Sequence, residues 1–210
     1  EKCQLNGLLL VEDYLKTSTS LQKVPWIVRN GYIEGEECDI EELNALLKSD
    51  PQLHDALLSR LQIGVQEDTT VTDCPAETEQ DFLVTQTYNS AISIGYSSLP
   101  YGLWTPMAKI VLQATYEATL LVAMLKAIQF ALQDNPKTVT VLLTKVGGGV
   151  FQNDASWIIE AMTRSLDRVA ELITKPYGIR LDVRIVHFGG IQEEYELLEQ
   201  FDRLDDHHIE

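Results

Sequence analysis

The sequence predicts an α/β domain with a mostly parallel sheet, preceded by a mainly helical extension over residues 1–81. Two observations carry this. From residue 82 onward, β-rich runs and helical periodicities alternate in the order strand, long helix, strand, glycine-rich turn, helix, strand. Before that, leucines recur at helical spacing while β-rich runs are scarce.

In chain order, Leu8 to Leu21 reads as an amphipathic helix, and Val24-Pro25-Trp26-Ile27-Val28 as a short strand beside a proline. Glu34, Glu36, Glu37, Asp39, Glu41 and Glu42 read as a solvated helix start, where carboxylates suit the positive end of the helix dipole. Leu43, Leu46, Leu47, Leu53, Leu57, Leu58 and Leu61 keep helical spacing, broken by Ser49-Asp50-Pro51. Residues 66–81 are polar and aperiodic and are expected to form a loop, the seam between the extension and the core over residues 82–210.

Phe82 to Tyr88 is β-branched and aromatic, as a strand would be. Thr105-Pro106 is expected to open a long helix, with Thr as cap and Pro at its first position; Asp134-Asn135-Pro136 stops it. Val139 to Val146 is apolar enough for a strand buried on both faces. Asn153-Asp154 caps a helix carrying Ile158, Ile159, Met162, Leu166, Val169 and Ile173, and Leu181 to Phe188 is a further strand.

Composition narrows the function classes. The 210 residues include 16 Lys and Arg against 32 Asp and Glu, a net charge of −16, and 45% are apolar. Nucleic acid and anionic lipid are disfavoured as partners, because both need clustered cations. A small anion held by backbone N–H groups remains compatible. Uninterrupted apolar runs are short, so no membrane span is expected. No basic, apolar, then small-residue leader opens the chain, which begins at Glu1 as a fragment or processed form would. The cysteines, Cys3, Cys38 and Cys74, are odd in number and form no CxxC, which points to a reducing cytosol. His54, His187, His207 and His208 lack ligand spacing, so no metal is expected. No G-x-S-x-G elbow supports serine chemistry.

The stretch with most chemistry is Lys145-Val146-Gly147-Gly148-Gly149-Val150-Phe151-Gln152-Asn153-Asp154. Three glycines between a strand and a helix start let the backbone turn sharply and approach a ligand. The helix that follows offers N–H groups and a positive dipole end suited to phosphate. The alternative is a tight turn with nothing bound. The loop lacks GK[ST], so it is no Walker P-loop, and Gln152 stands where a dinucleotide fingerprint needs glycine.

The strings TQTYNSAISIGYSS, YEATLLVA and GGGVFQNDASWI resemble the macrodomain superfamily, and most closely its divergent MavL-type macrodomain-like ADP-ribosyl hydrolases, over residues 82–190. The resemblance implies a three-layer fold and a site for ADP-ribose, with no cofactor. Gly147, Gly148, Gly149 and Val150 would cradle the diphosphate and Phe151 would pack on the distal ribose. Asn89 and Ser90 would reach the same ribose, and Tyr96, Ser97 and Ser98 would line the cleft, joined by Gln152 and Asn153. A glycine usually stands where Gln152 does, so its side chain is expected to narrow the pocket or touch the ligand.

Asp154 is the only acid in the loop and the candidate for directing water in hydrolysis, with helix capping as its competing role. The expected function is removal of ADP-ribose from modified protein in the cytosol, or a host's cytosol if the protein is exported. The alternatives are a non-catalytic reader of ADP-ribose and a scaffold docking a basic partner on its acidic N-terminal region. Gly189-Gly190-Ile191-Gln192-Glu193-Glu194 reads as a turn and the acidic start of a terminal helix.

Overall fold

The computed structural model describes residues 5–72, 82–133, 135–173 and 179–187, together with Tyr195 and Leu198. Cys3, Cys74, His207, His208 and the Gly189–Glu194 string lie outside these residues.

The N-terminal part forms α1 (Leu9–Ser18), a hairpin of β1 (Trp26–Arg29) and β2 (Tyr32–Gly35), α2 (Glu37–Ser49) and α3 (Pro51–Leu58). The break between α2 and α3 falls where the sequence puts it. Asp50 caps α3 by accepting from Gln52 N (2.9 Å), with Pro51 at the first position, where the missing N–H is harmless. β2 has no counterpart in the sequence expectation. Its signal is Asn30-Gly31, both at positive φ (52° and 84°), the backbone that a two-residue hairpin turn demands.

β3 (Gly64–Thr70) corrects the loop expected from residue 66. It pairs antiparallel with β4 (Leu83–Tyr88), and a bulge between Gln66 and Thr69 leaves Asp68 at φ 52°. The strand is mostly exposed, so pairing holds it and no hydrophobic alternation marks it. Lys126 clamps the bulge through Glu67 (2.7 Å) and Asp68 (3.4 Å).

A short 3-10 turn over Ile94–Tyr96 precedes α4 (Tyr101–Leu132), which starts earlier than expected and takes Pro106 inside it. The first turn is anchored by tertiary contact: Trp104 is fully buried and its Nε1 donates to Ser97 Oγ at 2.8 Å. That anchorage outweighs the backbone bond that Pro106 cannot donate. By length and composition α4 is apolar enough to cross a membrane. Here its apolar residues fill two cores. Its first half packs with α1, α2 and α3 around Leu15, Ile40, Leu43 and Leu57. Its second half packs through Tyr116 and Leu120 against the C-terminal elements.

Those elements are β5 (Thr138–Leu143), α5 (Ala155–Ile173) and β6 (Arg180–Ile185), a βαβ unit whose strands pair in parallel from Thr138↔Arg180 to Leu143↔Ile185. α5 buries Ile158, Ile159, Met162 and Val169, the expected face, and Ser165 Oγ donates to Gln113 O on α4 at 3.2 Å. The chain is thus a mixed α/β protein. Among the described residues there are three small two-stranded sheets, of which only β5–β6 is parallel, so the expected mostly parallel central sheet is not clearly formed by them. Nor is β5 buried on both faces. Val141 and Leu143 meet α4 and α5, while Leu142 on the other face is 63% exposed.

Candidate functional site

Residues 144–154 connect β5 to α5 at the carboxyl end of the parallel pair, where ligand crevices of α/β sheets lie. The loop is closed by its own hydrogen bonds. Gly148 N donates to Lys145 O (3.3 Å), Gln152 N to Gly149 O (2.9 Å) and Asn153 N to Gly147 O (3.0 Å). Tyr116 braces its entry from α4: the hydroxyl donates to Thr144 O (2.8 Å) and accepts from Val146 N (3.0 Å). Burial pushes the Tyr116 phenol far up, so it stays protonated and keeps donating.

Between these bonds the N–H groups of Gly149, Val150 and Phe151 donate to no protein acceptor among the described residues. These three donors lie four to six residues ahead of α5, whose own first N–H groups are capped by Asp154; successive free backbone donors in a loop of this kind are a type of site that anions use. Gly149 has no atom within 4 Å of where a Cβ would stand, and Val150 is 67% exposed.

Two backbone positions explain the loop's residue choice. Gly147 has φ 75°, and a Cβ there would meet Ala91 Cβ at 2.4 Å. Gln152 also lies in the left-handed region, at φ 57°. That conformation is easiest for glycine. The Gln152 side chain packs beside Gly95, where a Cβ would come within 3.0 Å of its Cγ and Cδ.

The structure brings the two predicted segments together. Gly95 N donates to Phe151 O (3.0 Å), and Asn153 Nδ2 donates to Ile92 O (2.8 Å). Asn153 is 4% exposed and faces inward, so its amide staples the loop to residues 91–95. Ser97 is similarly occupied, accepting from Leu99 N and Trp104 Nε1. Asn89 donates to Thr119 Oγ1 (3.4 Å), and Ser90 donates to the neighbouring Ala91 O (3.2 Å). Tyr96, Gly149, Val150 and Gln152 are exposed and Phe151 is half-buried; Ser90 and Ser98 are exposed as well.

Sequence reasoning missed Tyr32. Its ring, at the start of β2, forms an edge-to-face trio with Tyr96 (centroids 5.4 Å apart) and Phe151 (6.0 Å); Tyr96 and Phe151 stand 5.8 Å apart. The N-terminal hairpin therefore supplies a wall of the loop. The Asn30-Gly31 turn was the one available signal, and it locates the hairpin without saying what it touches.

Asp154 has the capping role. Its Oδ1 accepts from Ser156 N (2.8 Å) and Ser156 Oγ (2.6 Å), while its carbonyl accepts from Trp157 N and Ile158 N. These Ser156 bonds, helped by Lys109 and Lys145, hold its carboxyl below the ordinary 3.8. It is ionised at neutral pH and exposed, and Oδ2 makes no hydrogen bond among the described residues. Burial, and then the Asp154 charge, push the Tyr101 phenol up. The arrangement can hold an anion by backbone donors, cover it with aromatic edges and present one carboxylate. Comparison with protein-family models, with curated proteins and with solved structures finds no match to this chain.

Proposed function

We propose that this chain binds ADP-ribose, free or attached to protein, with the diphosphate on the backbone N–H groups of Gly149, Val150 and Phe151. The observation that carries the reading is that run of three successive N–H groups in the loop before α5 that donate to no protein acceptor among the described residues. The aromatic trio of Tyr32, Tyr96 and Phe151 gives the ribose an apolar wall beside the donors. The resemblance in residues 82–190 supports the same ligand. No cofactor, nucleic acid or membrane enters this reading, and the cytosol is its setting.

Calorimetric titration with ADP-ribose tests it, with AMP and ribose 5-phosphate as controls. Micromolar binding of ADP-ribose with much weaker controls is expected. No heat and no thermal shift with any of the three would sink the reading.

A second reading, hydrolytic release of ADP-ribose, rests on Asp154. Its ionised carboxylate keeps Oδ2 uncommitted, as a group orienting water would. Arginine-, serine- and acid-linked ADP-ribosylated proteins are the substrates to assay. Release that persists in Asp154→Asn would remove Asp154 from the mechanism, and no release from any linkage would leave binding alone.

A further inference from the structure

A second site lies apart from the loop. α2, α3, α4 and α5 line an open cavity of about 530 Å³, within the range of small-molecule sites, and no residue of the loop 147–153 lines it. Its permanent charges are Lys48, Lys109 and Arg164 against a single carboxylate, Glu160. Over the whole chain acids outnumber Lys and Arg by 32 to 16; in this lining cations outnumber acids three to one. Lys109 and Arg164 both hold Glu160, at 2.8 Å and 2.7 Å, and Lys109 above all keeps that carboxyl ionised. The two cations are thereby fixed in place with one positive charge in excess, and Lys48 adds another. The rest of the lining is mostly apolar, with Leu47, Ile110 and Trp157 beside the polar Asn44, His54 and Gln113. Trp157 is itself set by Tyr101, whose ring lies 5.1 Å away at 33°.

We propose that this cavity binds an amphipathic organic anion, with a flat apolar body against Leu47 and Trp157 and an acidic group between Lys48, Lys109 and Arg164. An inorganic ion would leave the apolar wall unused, and a neutral hydrophobe would leave the cations without a counter-charge. The inference stands on the lining of this cavity and does not depend on the ADP-ribose reading.

The probe is 8-anilinonaphthalene-1-sulfonate, titrated by fluorescence into the folded chain, with neutral N-phenyl-1-naphthylamine as the control for the apolar part. One saturable site is expected for the sulfonate. Lys48→Glu with Arg164→Glu is expected to weaken it by at least about tenfold, because it reverses two charges at the acidic group. Lys16→Glu with Arg168→Glu, which makes the same charge change outside the cavity, is expected to leave it unchanged. Leu47→Trp fills the cavity without altering charge and is expected to weaken the probe comparably, so the test survives if the double variant fails to fold by circular dichroism. Absence of a saturable site, equal affinity for the neutral dye, or insensitivity to both cavity variants would each overturn the proposal.

Discussion

The loop before α5 and the cavity beside its first half are made from different parts of the chain. The loop 147–153 presents backbone N–H groups and no cation of its own. The cavity between α2 and α5 presents Lys48, Lys109 and Arg164 over an apolar wall. The loop therefore depends on φ angles and on the absence of Cβ atoms, whereas the cavity depends on which side chains four separate helices bring together. A backbone site tolerates changes of charge and fails when a glycine acquires a methyl group; a side-chain site does the reverse.

The largest effect should come where the loop is tightest. Gly147→Ala combines a positive φ with a 2.4 Å approach to Ala91 Cβ, and we expect a loss of about 2–4 kcal/mol in denaturant unfolding. A loss below about 1 kcal/mol would mean that the turn can open without strain.

Tyr116→Phe comes next. It removes the hydroxyl that bonds both Thr144 O and Val146 N, which still bond each other at 2.9 Å, a cost of about 0.5–1.5 kcal/mol in the same unfolding experiment. ADP-ribose binding should weaken with it, since the loop loses its brace.

Asp154→Ala removes a cap worth about 1 kcal/mol at neutral pH. The pKa of Asp154 is depressed on folding, so its contribution is complete above the unfolded value and is lost as pH falls through the folded one. Parent and variant unfolding curves should therefore converge below about pH 4. A constant difference down to low pH would assign the effect to something other than the carboxylate.

Gly149→Ala should be the smallest for the fold and the sharpest for the comparison. Nothing stands near its Cβ position, so stability is expected to stay within about 0.5 kcal/mol. A methyl group beside the donors should lower ADP-ribose affinity by roughly tenfold, about 1.4 kcal/mol. Equal affinity in parent and variant would move the ligand off these N–H groups.

Much of the local structure was legible without coordinates. The α2–α3 break at Asp50-Pro51, the cap at Asp154, the apolar face of α5 and the β5–α5–β6 unit all follow from residues close together in the chain. β3 was not legible, because a polar, exposed strand is defined by its partner β4 and carries no alternation of its own. The start of α4 was misread for a related reason. Thr105-Pro106 is a good local signal, yet burial of Trp104 and its bond to Ser97 extend the helix past it.

The sequence by itself determined the elements whose causes are short-range: caps, turns, amphipathic faces and the glycine loop between strand and helix. Only the tertiary structure decided that Tyr32 meets Phe151 across more than a hundred residues, that Asn153 turns inward, and that cations from α2, α4 and α5 share one cavity. It also decided that the strands among the described residues pair as three small sheets. The reason is range. A dihedral preference or a cap is set by the next few residues, whereas a cavity or a sheet edge exists only once distant segments have displaced water between them.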